Sequence, residues 1–189
     1  MKFIWLAFIM AGTTLYAEPV ELLGNGSFEK FEKGKILGWA IQGGNGKLEI
    51  IQDAHSGKNA ASITTIGKKS SILYTSFPAA SISKIKNTIP AGKNAKYHVS
   101  CWAKGKGVFY FWVPFLNRVK QVGSKRSKDI RLTPEYKKYE FVFTTDAPEV
   151  KNLRINIFCM GYTETQMIID DVSLTFDPDE NQGVDPCLN

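Results

Sequence analysis

The sequence predicts an all-β protein, an antiparallel β-sandwich or jelly roll, on three observations. Short segments rich in β-branched and aromatic residues follow one another, each bounded by Gly, Pro, Asn or Lys-rich turns. No amphipathic stretch keeps a helical period for more than about two turns. No internal repeat or linker divides the 189 residues, which suffice for one domain with a single core. Evenly spaced short strands of this kind close into a sandwich.

In chain order, residues 1–17 read as an export signal. Lys2 precedes an apolar run from Phe3 to Gly12, and Leu15-Tyr16-Ala17 ends in a small residue suited to cleavage. The run is shorter than the roughly 20 apolar residues of a membrane helix, no Cys beside the cut implies a lipid anchor, and no later stretch is apolar enough to span a membrane. The mature chain is therefore expected to begin at Glu18 and to be secreted, whether extracellular or periplasmic. Strands are predicted over 48–52, 60–65, 71–77, 97–103, 108–115, 139–145, 153–159 and 167–176, within a single sandwich over 18–177. Residues 178–189, rich in Asp, Pro and Asn with little to bury, are expected to be a disordered tail. Of the three cysteines, Cys101 and Cys159 lie in apolar strand-like runs and read as buried free thiols. With Cys187 they match no zinc spacing and allow at most one internal disulfide.

The last strand, MIIDDVSLTF, alternates so that Ile168, Val172, Leu174 and Phe176 share one face and Ile169, Asp171, Ser173 and Thr175 the other. Asp170 falls in phase with the apolar set. A buried carboxylate must be paired, protonated or bound to a cation, so two readings stand: a carboxylate capped by backbone N–H groups, or a ligand to a hard cation such as calcium. On strict alternation Asp171 points away from Asp170, and the two form no dyad.

Little in the composition favours catalysis. The two histidines, His55 in a Ser-Gly turn and His98 in a strand, fit no metal-ligand or triad pattern, and no pair of carboxyl groups stands out as a glycosidase would need. The aromatic residues, 12% of the chain, are where a binding function would lie. Trp39 reads as core. In 97–103 the apolar set Val99, Cys101 and Ala103 takes the core, leaving Trp102 on the other face. In 107–115 both phases are aromatic; Tyr110 and Trp112 suit a sugar, because their rings join a flat apolar face to a polar handle. Leu153, Ile155 and Ile157 take the core, so Arg154 and Asn156 face away from it. Trp102, Tyr110, Trp112, Arg154 and Asn156 are accordingly the candidate ligand residues on one concave face, with loops covering these rings as the alternative. The cations Arg118, Lys120, Lys125, Arg126, Lys128 and Arg131 read as a solvated loop, with attraction of an acidic glycan as the rival reading. An exported chain without a nucleic-acid module is a poor partner for nucleic acid.

Five further stretches carry a family resemblance: Asn25-Gly26-Ser27-Phe28-Glu29 with Gly38-Trp39; His55-Ser56-Gly57-Lys58-Asn59-Ala60; Ala91-Gly92-Lys93; Tyr97-His98-Val99-Ser100-Cys101-Trp102-Ala103-Lys104; and Ile169-Asp170-Asp171-Val172-Ser173-Leu174. In this order they resemble the carbohydrate-binding modules of families four, nine and twenty-two, which are galactose-binding-like jelly rolls. The resemblance implies a structural calcium held by the carbonyls of Ser27 and Gly57 and the carboxylate of Asp170, with Glu29 as an addition. It also implies a glycan ligand, in a groove or at rim loops. The expectation is a monomeric, secreted, non-catalytic carbohydrate-binding module. The alternative is an extracellular structural or adhesion sandwich that binds a protein, and a glycan-active enzyme comes third.

Overall fold

The computed structural model describes residues 18–44, 46–65, 67–76, 89–118, 120–177 and 180–181. The predicted signal and most of the predicted tail, Cys187 included, lie outside the described residues. The strands are β1 (Val20–Glu21), β2 (Phe31–Glu32), β3 (Lys35–Ile36), β4 (Trp39–Gln42), β5 (Lys47–Ile51), β6 (Ala60–Thr64), β7 (Ser71–Thr75), β8 (Ile89–Pro90), β9 (Lys96–Lys106), β10 (Val108–Asn117), β11 (Lys120–Arg126), β12 (Ile130–Arg131), β13 (Lys137–Thr144), β14 (Asn152–Leu153), β15 (Asn156–Cys159) and β16 (Gln166–Phe176). Among the described residues the helical content is one 3-10 turn, Gly161–Thr163.

Two antiparallel sheets face each other, as the strand pattern predicts. One runs β13-β9-β16-β6-β5, with β1 beside β16. The other runs β4-β7-β15-β10, with β14 pairing the same β10 beyond the end of β15, β8 beside β14, and β11 and β12 also paired with β10. The core lies between them. Tyr97, Val99, Cys101 and Ala103 of β9 meet Phe109, Phe111, Val113 and Phe115 of β10, and Leu153, Ile155 and Ile157 fill in beside them, all fully buried. Trp39 is core as expected, its ring 5.4 Å from that of Phe28 and its indole N–H donated to the Asn25 carbonyl at 2.8 Å. Cys101 and Cys159 are buried free thiols, and burial pushes the Cys159 thiol up to about 12. The predicted strand 153–159 is broken at Arg154 and Ile155 into β14 and β15. The basic run after Asn117 is not a loop: most of it forms β11 and β12, which flank β10. Lysines and arginines along an edge discourage pairing with another chain.

The last strand departs from strict alternation. Asp170 pairs with Trp102 and Ser173 with Ser100, so Asp171 and Val172 together oppose Cys101. Asp171 takes a positive φ of 45°, which makes this a β-bulge. The extra residue reverses the phase: Met167 and Ile169 enter the core before it, and Val172, Leu174 and Phe176 after it. Ile168 and Ile169 thus exchange the faces that simple alternation assigned them. Asp170, paired with the outward Trp102, is buried on the outer side of the sheet and not in the sandwich core.

The Asn-Gly-Ser-Phe-Glu stretch packs against this bulge. The Asn25 side chain accepts the Lys30 N–H and donates to the Lys30 and Leu37 carbonyls, closing the β2–β3 hairpin. Val172 N–H donates to the Gly26 carbonyl at 2.9 Å. At the other end of β16, Asn181 corrects the expectation of a wholly disordered tail: it is buried. Its carboxamide pairs with the N–H and C=O of Lys96 at 2.5 and 2.9 Å, as a neighbouring strand would.

A Cβ on Gly26 would lie 1.6 Å from the Val172 carbonyl oxygen, so no side chain fits without moving the bulge. Gly26→Ala is expected to destabilise the protein by about 3 kcal/mol, read as a lower urea midpoint. An unchanged midpoint would refute this packing.

Candidate functional site

The outward residues of the β4-β7-β15-β10 sheet form two cross-strand rows. Registers place Ala40, Tyr74, Asn156, Trp112 and Arg126 side by side in one row, and Gln42, Ile72, Phe158 and Tyr110 in the next. Tyr74, Asn156 and Trp112 of the first row and Gln42 and Ile72 of the second line a groove of about 420 Å³, completed by Pro114, Leu116, Gln121 and Arg154. Directly opposed residues of neighbouring strands lie about 5 Å apart, so Asn156 stands between the Tyr74 and Trp112 rings. The rows exist because β7, β10 and β15 alternate strictly: Leu73, Phe111 and Ile157 point inward, and their neighbours must point out.

The second row is anchored by ring contacts. Tyr110 stacks on Phe158 with centroids 4.7 Å apart and planes 11° from parallel. The Arg126 guanidinium lies 3.9 Å over the Tyr110 ring and pairs with Asp129. Burial raises the Tyr110 phenol, against the opposing pull of Arg126. The Arg154 guanidinium sits 5.4 Å over Tyr74. Asn156 is 4% exposed, yet its side-chain oxygen has no hydrogen-bond partner. An orphaned buried acceptor costs about 1–3 kcal/mol, and Asn152 Oδ1 on β14 is a second one. The surface therefore offers flat rings, carboxamides and a guanidinium, with no carboxylate among the described residues that line it.

Of the predicted ligand residues, the structure brings Tyr110, Trp112, Arg154 and Asn156 to this face. Trp102 is not with them. It belongs to β9, in the opposite sheet, and faces the opposite outer side. Inward-pointing residues on both strands are compatible with either sheet, so alternation alone did not separate them. The Trp102 ring is covered by His55, stacked at 3.8 Å and 11°, which is the alternative of a ring beneath a loop. Sequence reasoning did not single out Tyr74, Gln42 or Gln121. Tyr74 was accessible from the alternation of Ser71-Ile72-Leu73-Tyr74-Thr75; Gln42 and Gln121 lie on strands that the sequence pattern did not predict.

Loop 52–59 is held over Trp102 by carboxylates. Asp170 accepts the N–H groups of His55, Ser56 and Asp171 at 2.9, 3.0 and 2.7 Å, the backbone-capped arrangement. Burial nevertheless raises its carboxyl. Asp171 accepts from the Ser56 hydroxyl and pairs with His55 Nδ1, both at 2.8 Å. The expectation that the two carboxylates work apart is thus corrected: the bulge turns both toward one loop. Tyr136 donates to the Asp53 carbonyl at 2.5 Å, and Lys104 pairs with Asp53 at 2.7 Å. Glu29 secures the far end of the loop, accepting the N–H groups of Lys58 and Asn59 and the Asn59 carboxamide; these bonds hold its carboxyl below the usual range. Gly57, at φ +65°, lies so close that a Cβ would be 2.3 Å from Glu29 Oε1. Ser27 lines an adjoining hollow with Asp171 and Val172. Ser27, Glu29, Gly57 and Asp170 therefore gather on one rim. Among the described residues no three His, Cys, Asp or Glu side chains converge as a ready metal centre.

No protein-family model and no curated protein sequence matches this chain. Solved structures share its fold. A family 61 carbohydrate-binding module in complex with β-1,4-galactotriose is 18% identical, with a TM-score of 0.57 over 84% of this chain and 99% of that one. The family 22 xylan-binding domain of Paenibacillus barcinonensis Xyn10C is 12% identical, with a TM-score of 0.54 over 87% and 98%. The enzymatically active domain of a bacteriophage CBA120 tailspike protein is 15% identical at a TM-score of 0.62; the match covers 81% of this chain but 20% of the tailspike. A cyclase from Fischerella sp. TAU is also similar, at 14% identity and a TM-score of 0.58. The fold is the jelly roll that these carbohydrate-binding modules share, and it also occurs in enzymes.

Because His55 stacks on Trp102 and Tyr136 in turn packs edge-on against His55, Trp102→Ala is expected to lower stability by about 2 kcal/mol, less than a fully buried Trp, and to leave the groove on the opposite sheet unaltered. Thermal unfolding beside ligand titration checks this. Loss of ligand binding in a variant that stays folded would return Trp102 to the site.

Proposed function

We propose that this protein is a secreted, non-catalytic carbohydrate-binding module, and that its glycan lies across Tyr74, Asn156 and Trp112. The observation that carries the reading is the row in which Asn156 stands between the Tyr74 and Trp112 rings along a groove of about 420 Å³. A pyranose suits such a row: its CH faces cover the rings and its hydroxyls meet the polar groups between them. The jelly roll supports the reading without deciding it, since one fold hosts many functions and the site must carry the argument. Export follows from the apolar leader and its small-residue end.

A calcium ion belongs to the same reading, held by the carbonyls of Ser27 and Gly57 and the carboxylates of Glu29 and Asp170. The donor set fits: it is all oxygen, as a hard cation prefers. Glu29 Oε2 and Asp170 Oδ1 each receive one N–H donor, which leaves acceptor capacity on both. Since Asp170 is already capped by N–H groups, the ion would fasten loop 52–59 more than rescue a bare charge.

Glycan-array screening of the purified protein is expected to return polysaccharide ligands. Asn156→Ala should weaken the best of them about tenfold, and Trp112→Ala by at least as much, with both variants still folded. An array without glycan binding, or full binding by both variants, would overturn the proposal.

Calcium should raise the melting temperature, by the equivalent of roughly 2.7 kcal/mol at a hundredfold excess over its dissociation constant. Asp170→Ala and Glu29→Gln should each reduce that increment. No response in the parent protein rules the ion out.

A further inference from the structure

Carboxamides and rings alternate from strand to strand across the groove. Gln42 of β4 is followed by Tyr74 of β7, Asn156 of β15, Trp112 of β10 and Gln121 of β11, all of them lining residues. These five strands are hydrogen-bonded neighbours in that order. Tyr74, Asn156 and Trp112 share one cross-strand row. Gln42 lies one row to one side of it, and Gln121, opposite Leu116, lies two rows to the other. The groove therefore crosses the strands obliquely.

The straight row offers a ligand little at its two ends. On β4 it ends in Ala40, which has neither ring nor polar group. On β11 it ends in Arg126, whose guanidinium already lies over Tyr110 and pairs with Asp129. The oblique line ends instead in two carboxamides, and a carboxamide both donates and accepts, as sugar hydroxyls require. Gln42 and Gln121 are exposed, whereas Asn156 in the middle is buried, so a chain seated at the centre can run on past both ends. Four strand spacings amount to roughly 19 Å, and the oblique offset lengthens the path. A 1,4-linked pyranose unit is about as long as one strand spacing. An extended glycan laid along this line thus advances by about one sugar per strand.

We infer that the groove takes an internal run of about five pyranose units of an extended, linear polysaccharide, one unit to each strand crossed. Tyr74 and Trp112 stack on two of the units, and Gln42, Asn156 and Gln121 hydrogen-bond the hydroxyls of the others. The inference rests on the groove being a glycan site and adds the form of the glycan: a chain gripped along its length, not a terminal sugar.

Titration calorimetry of the full mature protein with β-1,4-galacto-oligosaccharides and xylo-oligosaccharides of two to six units tests it. In the series that binds, affinity is expected to rise at least about tenfold from the disaccharide to the pentasaccharide and to level off at the hexasaccharide. Reducing the terminal sugar of the hexasaccharide to its alditol should change nothing. Gln42→Ala and Gln121→Ala should each lose about fivefold in affinity for the hexasaccharide. Both should keep the parent's affinity for the trisaccharide, which the central row seats by itself. A disaccharide bound as tightly as the hexasaccharide, a need for the free reducing end, or parental hexasaccharide affinity in both glutamine variants would overturn the inference while leaving the glycan site standing. Binding of neither series at any length would remove both.

Discussion

The left-handed turn of the backbone at Asp171 is the constraint on which the rest of this sandwich depends. One extra residue opposite Cys101 changes which side chains of β16 face inward. Without it, either Met167 and Ile169 or the trio Val172, Leu174 and Phe176 would face water, and each such side chain contributes about 1.5–3 kcal/mol by burial. The bulge lets one long strand serve the core along its whole length, at the cost of a strained φ. Several contacts hold that strain in place: Val172 bonds to Gly26, whose missing side chain leaves room for the close approach, and Asp170 and Asp171 grip loop 52–59 from below.

That grip makes the two outer faces unequal. Over the β9–β16 sheet the loop settles on Trp102, with His55 stacked on the ring and Tyr136 edge-on to His55. Asp170 holds the middle of the loop and Glu29 its last residues through backbone N–H groups, so the segment has little freedom to lift. Over the β7–β15–β10 sheet no described loop is fastened over the first row in this way. Its aromatic rings are half-buried, and its central carboxamide oxygen has no hydrogen-bond partner. The two outer faces thus differ in how fully their polar groups are satisfied among the described residues.

The N-terminal motif shows how a short sequence signature becomes geometry. Asn25 ties the β2–β3 hairpin through three hydrogen bonds, its carbonyl receives the Trp39 indole, Gly26 meets the bulge, and Phe28 fills the core. Glu29 then reaches the loop. Five consecutive residues thus connect the hairpin, the core, the last strand and the rim.

By itself the sequence determined the all-β class, most of the strands, the inward sets of β9, β10 and β15, and the outward placement of Trp112 and Asn156. Alternation is a local property: a side chain's face follows from its neighbours two residues away. What lies opposite a strand is not local. Alternation gave Trp102 and Trp112 the same description, and only the pairing of β9 with β16 and of β10 with β15 put them on opposite sides of the molecule. The bulge escaped for a related reason. Nothing in Ile-Ile-Asp-Asp-Val marks an extra residue until the partner strand is known, so the faces of Ile168, Ile169 and Asp171 were assigned by a period that the tertiary structure interrupts. Tyr74 was open to reading, whereas its place beside Asn156 required the β7–β15 register, because a cross-strand row assembles residues far apart in the chain through hydrogen bonds that no single segment encodes.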